Sequence, residues 1–155
     1  MENIGGSQFD DRLTGSGENN ALYGNGGADQ LFGEAGNDWM RGGTDNDILH
    51  GGTGNDTLIG GSGADTLDGG DGKDKADYRY SATSVTVNLA TGSATGGDAE
   101  GDIFSSIENI GGSQFDDILT GNDENNALYG NGGADQLFGE AGNDWIRGGT
   151  GEDLL

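Results

Sequence analysis

The sequence predicts an all-β protein, wound as a solenoid of two parallel sheets. Three observations carry that expectation. Glycine opens a unit every nine residues, at Gly6, Gly15, Gly24, Gly33, Gly42, Gly51, Gly60 and Gly69. The eighth position of each unit is apolar: Leu13, Leu22, Leu31, Met40, Leu49, Leu58, Leu67 and Ala76. The chain holds 35 Gly and no Pro, so tight turns can alternate with short strands that no proline interrupts.

Each unit divides in the same way. Positions one to six are glycine and small polar residues, which form a turn. Positions seven to nine form a strand whose middle side chain points one way and whose neighbours point the other. Strand, turn, strand and turn make a coil of eighteen residues. Stacked coils place the odd units in one sheet and the even units in the other, with the apolar column between them. Such stacking is how repeat chains bury a continuous core.

A longer period lies over the short one. Glu2 to Thr44 returns as Glu108 to Thr150, differing only at Arg12/Ile118, Ser16/Asn122, Gly17/Asp123 and Met40/Ile146. The second array has units at Gly112, Gly121, Gly130, Gly139 and Gly148. Three segments follow: a first array over 1–77, a β-rich spacer over 78–107, and a truncated second array over 108–155. In the spacer, Val85, Val87 and Leu89 alternate with polar residues and read as a half-buried strand. Gly92 to Gly101 reads as an acidic turn-rich loop, and Ile103, Phe104 and Ile107 as another apolar cluster. Tyr78, Tyr80 and Phe104 make this segment too apolar for a flexible linker. The offset of 106 between the copies is not a multiple of nine, so the second array is expected not to continue the columns of the first. The abrupt start at Met1 and the stop at Leu155, an eighth position, are those expected of a piece of a longer array.

Charge narrows the function. Acidic residues number 28 against 6 basic, for a net charge of −22, and only 30% of residues are hydrophobic. That balance argues against nucleic acid or anionic membranes as partners and for cations. No stretch is apolar enough to insert into a bilayer, and Met1-Glu2-Asn3-Ile4 lacks the basic and apolar regions of a signal peptide. Without Cys, no disulfide can staple so thin a core.

The sixth position suggests what does. It reads Asp11, Asn20, Asp29, Asp38, Asp47, Asp56, Asp65 and Asp74, then Asp117, Asn126, Asp135, Asp144 and Asp153. Stacking brings the turns of alternate units to about 4.8 Å, the strand spacing. Two carboxylates at that distance repel by about 3.5 kcal/mol at an effective dielectric near 20. Ca²⁺ between turns removes the repulsion and takes six to eight oxygen ligands, including carbonyls bared by the Gly-rich turn. Mg²⁺ demands a small octahedron, and Zn²⁺ finds no Cys and only His50. Metal binding is therefore expected to be coupled to folding.

The units Gly51-Gly52-Thr53-Gly54-Asn55-Asp56-Thr57-Leu58-Ile59 and Gly60-Gly61-Ser62-Gly63-Ala64-Asp65-Thr66-Leu67-Asp68 resemble the RTX, or hemolysin-type, calcium-binding repeats in every motif position. The unit at Gly69 departs only at Ala76. The resemblance implies a parallel β-roll with several Ca²⁺ ions bridging its turns. It implies bridging pairs Asp29–Asp47, Asp38–Asp56, Asp47–Asp65, Asp56–Asp74, Asp117–Asp135 and Asp135–Asp153. Phe9, Glu18, Asp45, Phe115 and Glu124 replace the fourth-position glycine, and Asn20 and Asn126 the aspartate. Sites at Asp11–Asp29, Asn20–Asp38 and Asn126–Asp144 are thus expected to be weaker or empty. The resemblance also implies a secreted parent exported by the type I machinery of Gram-negative bacteria, whose C-terminal signal is absent from these residues.

No catalytic set is positioned by the repeat, so no enzyme activity is expected of these residues themselves. His50 falls on an outward position with no nucleophile placed beside it. Gly24-Asn25-Gly26-Gly27 lacks the lysine and following helix of a phosphate loop. Asp45-Asn46-Asp47 lacks the glycine and closing glutamate of an EF-hand. Trp39 and Trp145, at position seven, and Tyr23, Phe32, Tyr129 and Phe138, at position nine, should face outward. Packing under the spacer or a neighbouring module accounts for such a patch. A polysaccharide or cell-surface ligand is the alternative.

Overall fold

The computed structural model describes residues 2–155 and is all β apart from one 3₁₀ turn at Gly97–Ala99. Strands are labelled in chain order. The first sheet holds eight, in the order β1 (Glu2–Gly5), β3 (Asn20–Gly26), β5 (Trp39–Thr44), β7 (Thr57–Ser62), β9 (Lys75–Asp77), β13 (Asn109–Gly111), β15 (Ala127–Gly132) and β17 (Trp145–Thr150). The second holds nine. Its order is β2 (Arg12–Thr14), β4 (Gln30–Ala35), β6 (Ile48–Gly54), β8 (Thr66–Gly72), β12 (Ile103–Ser105), β11 (Ser93–Thr95), β10 (Thr86–Asn88), β14 (Ile118–Thr120) and β16 (Gln136–Phe138). No described helix is long and apolar enough to cross a membrane.

Within the arrays every pairing is parallel, and partners lie eighteen residues apart, as Leu22↔Met40↔Leu58 and Leu31↔Leu49↔Leu67 show. The two columns meet between the sheets. Leu22, Leu31, Met40, Leu49, Leu58 and Leu67 are fully buried, and Ile110, Leu119, Leu128 and Leu137 continue the stack. This is the parallel β-roll that the nine-residue period requires.

At the junction of the arrays the first sheet departs from expectation and the second does not. β9 pairs directly with β13, Ala76 facing Ile110, so the first sheet passes from one array to the other without a break. In the second sheet β12 takes the place of a repeat strand beside β8, with Phe104 opposite Leu67. Residues 78–102 are an excursion between β9 and β12. They place β10 and β11 in the second sheet, where β10–β11 and β11–β12 are the antiparallel pairs. An insertion confined to one sheet can break the nine-residue count and leave the other sheet continuous.

The spacer is packed. Val85, Val87, Leu89 and Ile107 are buried in the common core, as alternation predicts, and Tyr78 joins them. Ile103 does not: it is 54% exposed, because β12 adopts the repeat register that turns only Phe104 inward.

Candidate metal centre

The turns are joined by a ladder that uses half of each carboxylate. Asp38 N–H donates to Asp56 Oδ1 at 2.7 Å, and Asp56 N–H donates to Asp74 Oδ1 at 2.7 Å. Asp29, Asp47 and Asp65 form the matching ladder in the other column, at 2.8 Å per step. In the second array Asp117 N–H donates to Asp135 Oδ1 at 2.8 Å, and Asp135 N–H to Asp153 Oδ1 at 3.1 Å. Asn126 N–H reaches Asp144 Oδ1 at 2.9 Å.

The other carboxylate oxygen is the informative one. Oδ2 of Asp29, Asp38, Asp47, Asp56, Asp65, Asp74 and Asp135 is buried with no hydrogen-bond partner. A buried carboxylate oxygen left so would cost several kcal/mol unless a cation or proton met it. Carbonyl oxygens lie close by. A side chain on Gly33 would collide with both Asp38 Oδ2 and the Gly51 carbonyl, and one on Gly51 with Asp56 Oδ2 and the Gly69 carbonyl. Only glycine leaves that space open. Among the described residues no three acidic or histidine side chains converge on one point, so each centre combines few carboxylates with main-chain oxygens.

Electrostatics agree with the geometry. Burial pushes Asp47 up to about 7, with the Asp65 and Asp29 charges adding to it against a backbone hydrogen bond. Burial likewise pushes Asp56, Asp65 and Asp74 up to about 6. These groups resist ionising in the metal-free fold.

The turns fall into two kinds. In most, positions two and four are left-handed, as at Gly52 (φ 107°) and Gly54 (φ 128°). Asp45 reaches the same conformation at φ 76°, which aspartate tolerates, and Asp47 beside it keeps its unpartnered oxygen. The turns opening at Gly6, Gly15, Gly112 and Gly121 lack both left-handed residues and close on themselves. Ser113 N–H donates to Asp117 Oδ2 at 2.6 Å, Ser16 N–H to Asn20 Oδ1 at 2.7 Å, and Ser7 N–H to Asp11 Oδ2. Asn25 Nδ2 then donates to the Gly6 carbonyl at 3.0 Å, and Asn131 Nδ2 to the Gly112 carbonyl at 2.7 Å. Asp11 and Asp117 therefore stand in the columns with their outer oxygens already taken. Asp144 and Asp153, in the units at Gly139 and Gly148, are only half-buried.

Oxygen-only donors and glycine-held gaps thus recur with the nine-residue period. The RTX calcium-binding nonapeptide repeat matches four times, over residues 5–40, 41–76, 111–146 and 129–155. The chain belongs to the RTX calcium-binding repeat family. No curated protein matched the chain. The residues present fit the metal this RTX family binds. Calcium, when bound, supplies the positive charge that the buried oxygens lack and accepts carboxylate and carbonyl oxygens at variable geometry. The protein's part is to hold those oxygens in register and to keep side chains out of the gaps.

Two residues join the RTX columns from outside the repeats. Asp102 Oδ1 accepts Asp65 N–H at 2.8 Å, and Glu108 Oε2 accepts Asp74 N–H at 2.8 Å. Each precedes a repeat-like strand, Asp102-Ile103-Phe104 and Glu108-Asn109-Ile110, and that acid–x–apolar triplet was the available signal. Tyr78 hydroxyl donates to Asp102 Oδ2 at 2.8 Å, closing the column of Asp29, Asp47 and Asp65 with a phenol.

Proposed function

We propose that this RTX segment is a calcium-dependent folding module of a secreted protein, a structural element with no active site of its own. The seven buried Oδ2 atoms without a partner carry the reading. Like charges stacked at strand spacing hold the chain open at low calcium, and millimolar calcium outside the cell lets it close. Type I export from a Gram-negative cell, as an unfolded chain, fits that order of events. The parent then carries the module as an enzyme's tail or as a spacer in an adhesin. In this reading residues 1–77 and 108–155 are the metal-bearing arrays and 78–107 the ordered joint. Asp29, Asp38, Asp47, Asp56, Asp65, Asp74 and Asp135 are the principal ligands, joined by Asp144 and Asp153. Circular dichroism tests it: β signal should appear cooperatively with millimolar Ca²⁺ and poorly with Mg²⁺. A β-rich spectrum at neutral pH in excess chelator would refute it.

One observation favours a second role, binding of an acidic polysaccharide. The outward face of the first sheet repeats a cleft. Gln8, Tyr23, Asn25, Arg41 and Thr44 line about 270 Å³, and Gln114, Tyr129, Asn131, Arg147 and Thr150 line about 360 Å³. Tyr23 packs on Trp39 with ring centroids 5.1 Å apart and ring planes tilted by 50°, which sets an aromatic pair beside Arg41. A guanidinium next to aromatic rings suits a carboxylate-bearing sugar. Retention on immobilised uronate polymer should require Ca²⁺ and fall in Arg41→Ala and Arg147→Ala; equal retention of all forms would exclude the role.

A further inference from the structure

The joint between the arrays repeats the geometry of a repeat turn without the repeat sequence. A side chain on Gly69 would collide with both Asp74 Oδ2 and the Ser106 carbonyl oxygen, as one on Gly51 would with Asp56 Oδ2 and the Gly69 carbonyl. Asp74 is fully buried and its Oδ2 has no partner. Its N–H donates to Glu108 Oε2 at 2.8 Å, where a repeat would present an aspartate. The connection is short. Only Ile107 separates Ser106 from Glu108, whereas four residues separate Gly51 from Asp56. Glutamate's extra methylene spans what the missing residues would have covered. Ser106 holds the turn at φ 50°, left-handed like the second position of the open turns. The shortened turn leaves a cleft of about 280 Å³, lined in part by Gly70, Ser106, Glu108, Asn122 and Glu124.

We propose that Asp74, Glu108 and the Ser106 carbonyl form a calcium site at the joint, distinct from the nonapeptide sites. The inference rests on the reading that the repeat turns hold calcium. Its donors are all oxygen, two of them carboxylate, which selects a hard cation with flexible coordination. Asn122 and Glu124, which also line the cleft, belong to the second array. A cation here ties the last turn of the first array to the strand that starts the second. The neighbouring column ends differently, on the Tyr78–Asp102 hydrogen bond, so the joint has one metal edge and one phenol edge.

Glu2 provides an internal control. It precedes the same Asn-Ile-Gly-Gly as Glu108, but it is exposed in the edge strand β1. Calorimetric titration of the full chain should show that Glu108→Gln binds one Ca²⁺ fewer, or that ion ~tenfold more weakly, because ligand charge sets affinity. Glu2→Gln should match the unmodified chain. The amide oxygen introduced by Glu108→Gln can still accept the Asp74 N–H, so the roll is retained. Hydrogen exchange in saturating Ca²⁺ should quicken over residues 103–111 in Glu108→Gln alone. Should that variant fail to fold, Glu108→Asp, one methylene short, serves instead and should weaken the same ion. Unchanged stoichiometry and affinity in the folded variant, with calcium-induced folding intact, would overturn the joint site only. Failure of the unmodified chain to bind calcium would overturn the repeat reading beneath it.

Discussion

Asp56 and Asn20 occupy the same position of their units and the same column, yet their substitution should have unequal consequences. Asp56 Oδ1 accepts the buried Asp38 N–H at 2.7 Å, and its Oδ2 stands unpartnered beside the Gly69 carbonyl. Asp56→Ala removes an acceptor, stranding that N–H at a cost of about 1–3 kcal/mol, and deletes a charged oxygen from the metal gaps it faces. Asn20 Oδ1 instead accepts Ser16 N–H at 2.7 Å within its own turn, and the chain eighteen residues earlier is the exposed edge at Glu2. Asn20→Ala should cost about 1 kcal/mol and no ligand. Asp56→Asn separates the contributions, since its amide oxygen keeps the ladder bond while the charge goes. Melting in saturating Ca²⁺ should fall by roughly 4–8 °C for Asp56→Ala, taking about 2 kcal/mol as the loss, and by roughly half that or less for Asn20→Ala. Calorimetry should show weakened calcium in both Asp56 variants and unchanged calcium in Asn20→Ala. Equal calcium loss in Asp56→Ala and Asn20→Ala would refute the division into open and self-closed turns.

Three further outcomes are expected. Because burial raises Asp47 and Asp102 to about 7 and Asp56, Asp65 and Asp74 to about 6, the metal-free fold binds more protons than the unfolded chain between about pH 4 and pH 7. Its stability should therefore fall as pH rises through that window, so that in chelator the β signal is stronger at pH 5 than at pH 8; a rise with pH would contradict the buried, unpaired carboxylates. Gly33→Ala should abolish one gap by pushing a methyl group against Asp38 Oδ2 and the Gly51 carbonyl, whereas Gly17→Ala, with nothing within 4 Å, should leave calcium binding unchanged by titration. Tyr78→Phe strands a buried oxygen of Asp102 and should destabilise the calcium-loaded protein by about 1–3 kcal/mol in denaturant unfolding, without changing the number of ions bound.

Most of the roll was legible from its period. Inward Leu22, Leu31, Met40, Leu49, Leu58 and Leu67 follow from one apolar residue per nine, and the eighteen-residue register follows from two units per coil. The acidic columns were legible for the same reason, since any residue repeated with the coil must stack. Some outward positions were less so. Ile59, at a ninth position, is buried, and Arg41 lies over the Tyr80 ring at 5.2 Å, because the spacer folds back across this part of the first sheet.

The content of each coil is written in its period: which residue turns inward, which carboxylates stack, and that their oxygens face one another. Those properties depend on contacts at a constant separation along the chain, and a constant separation leaves a period. How the arrays meet, and which carboxylates are free, follow from three-dimensional packing instead. Ala76 faces Ile110 and Asp74 faces Glu108 at separations no period contains, because the excursion over 78–102 adds strands to one sheet alone. Whether a carboxylate keeps an open oxygen depends on the hand of its turn, and at Asp117 a serine amide four residues back has already claimed it.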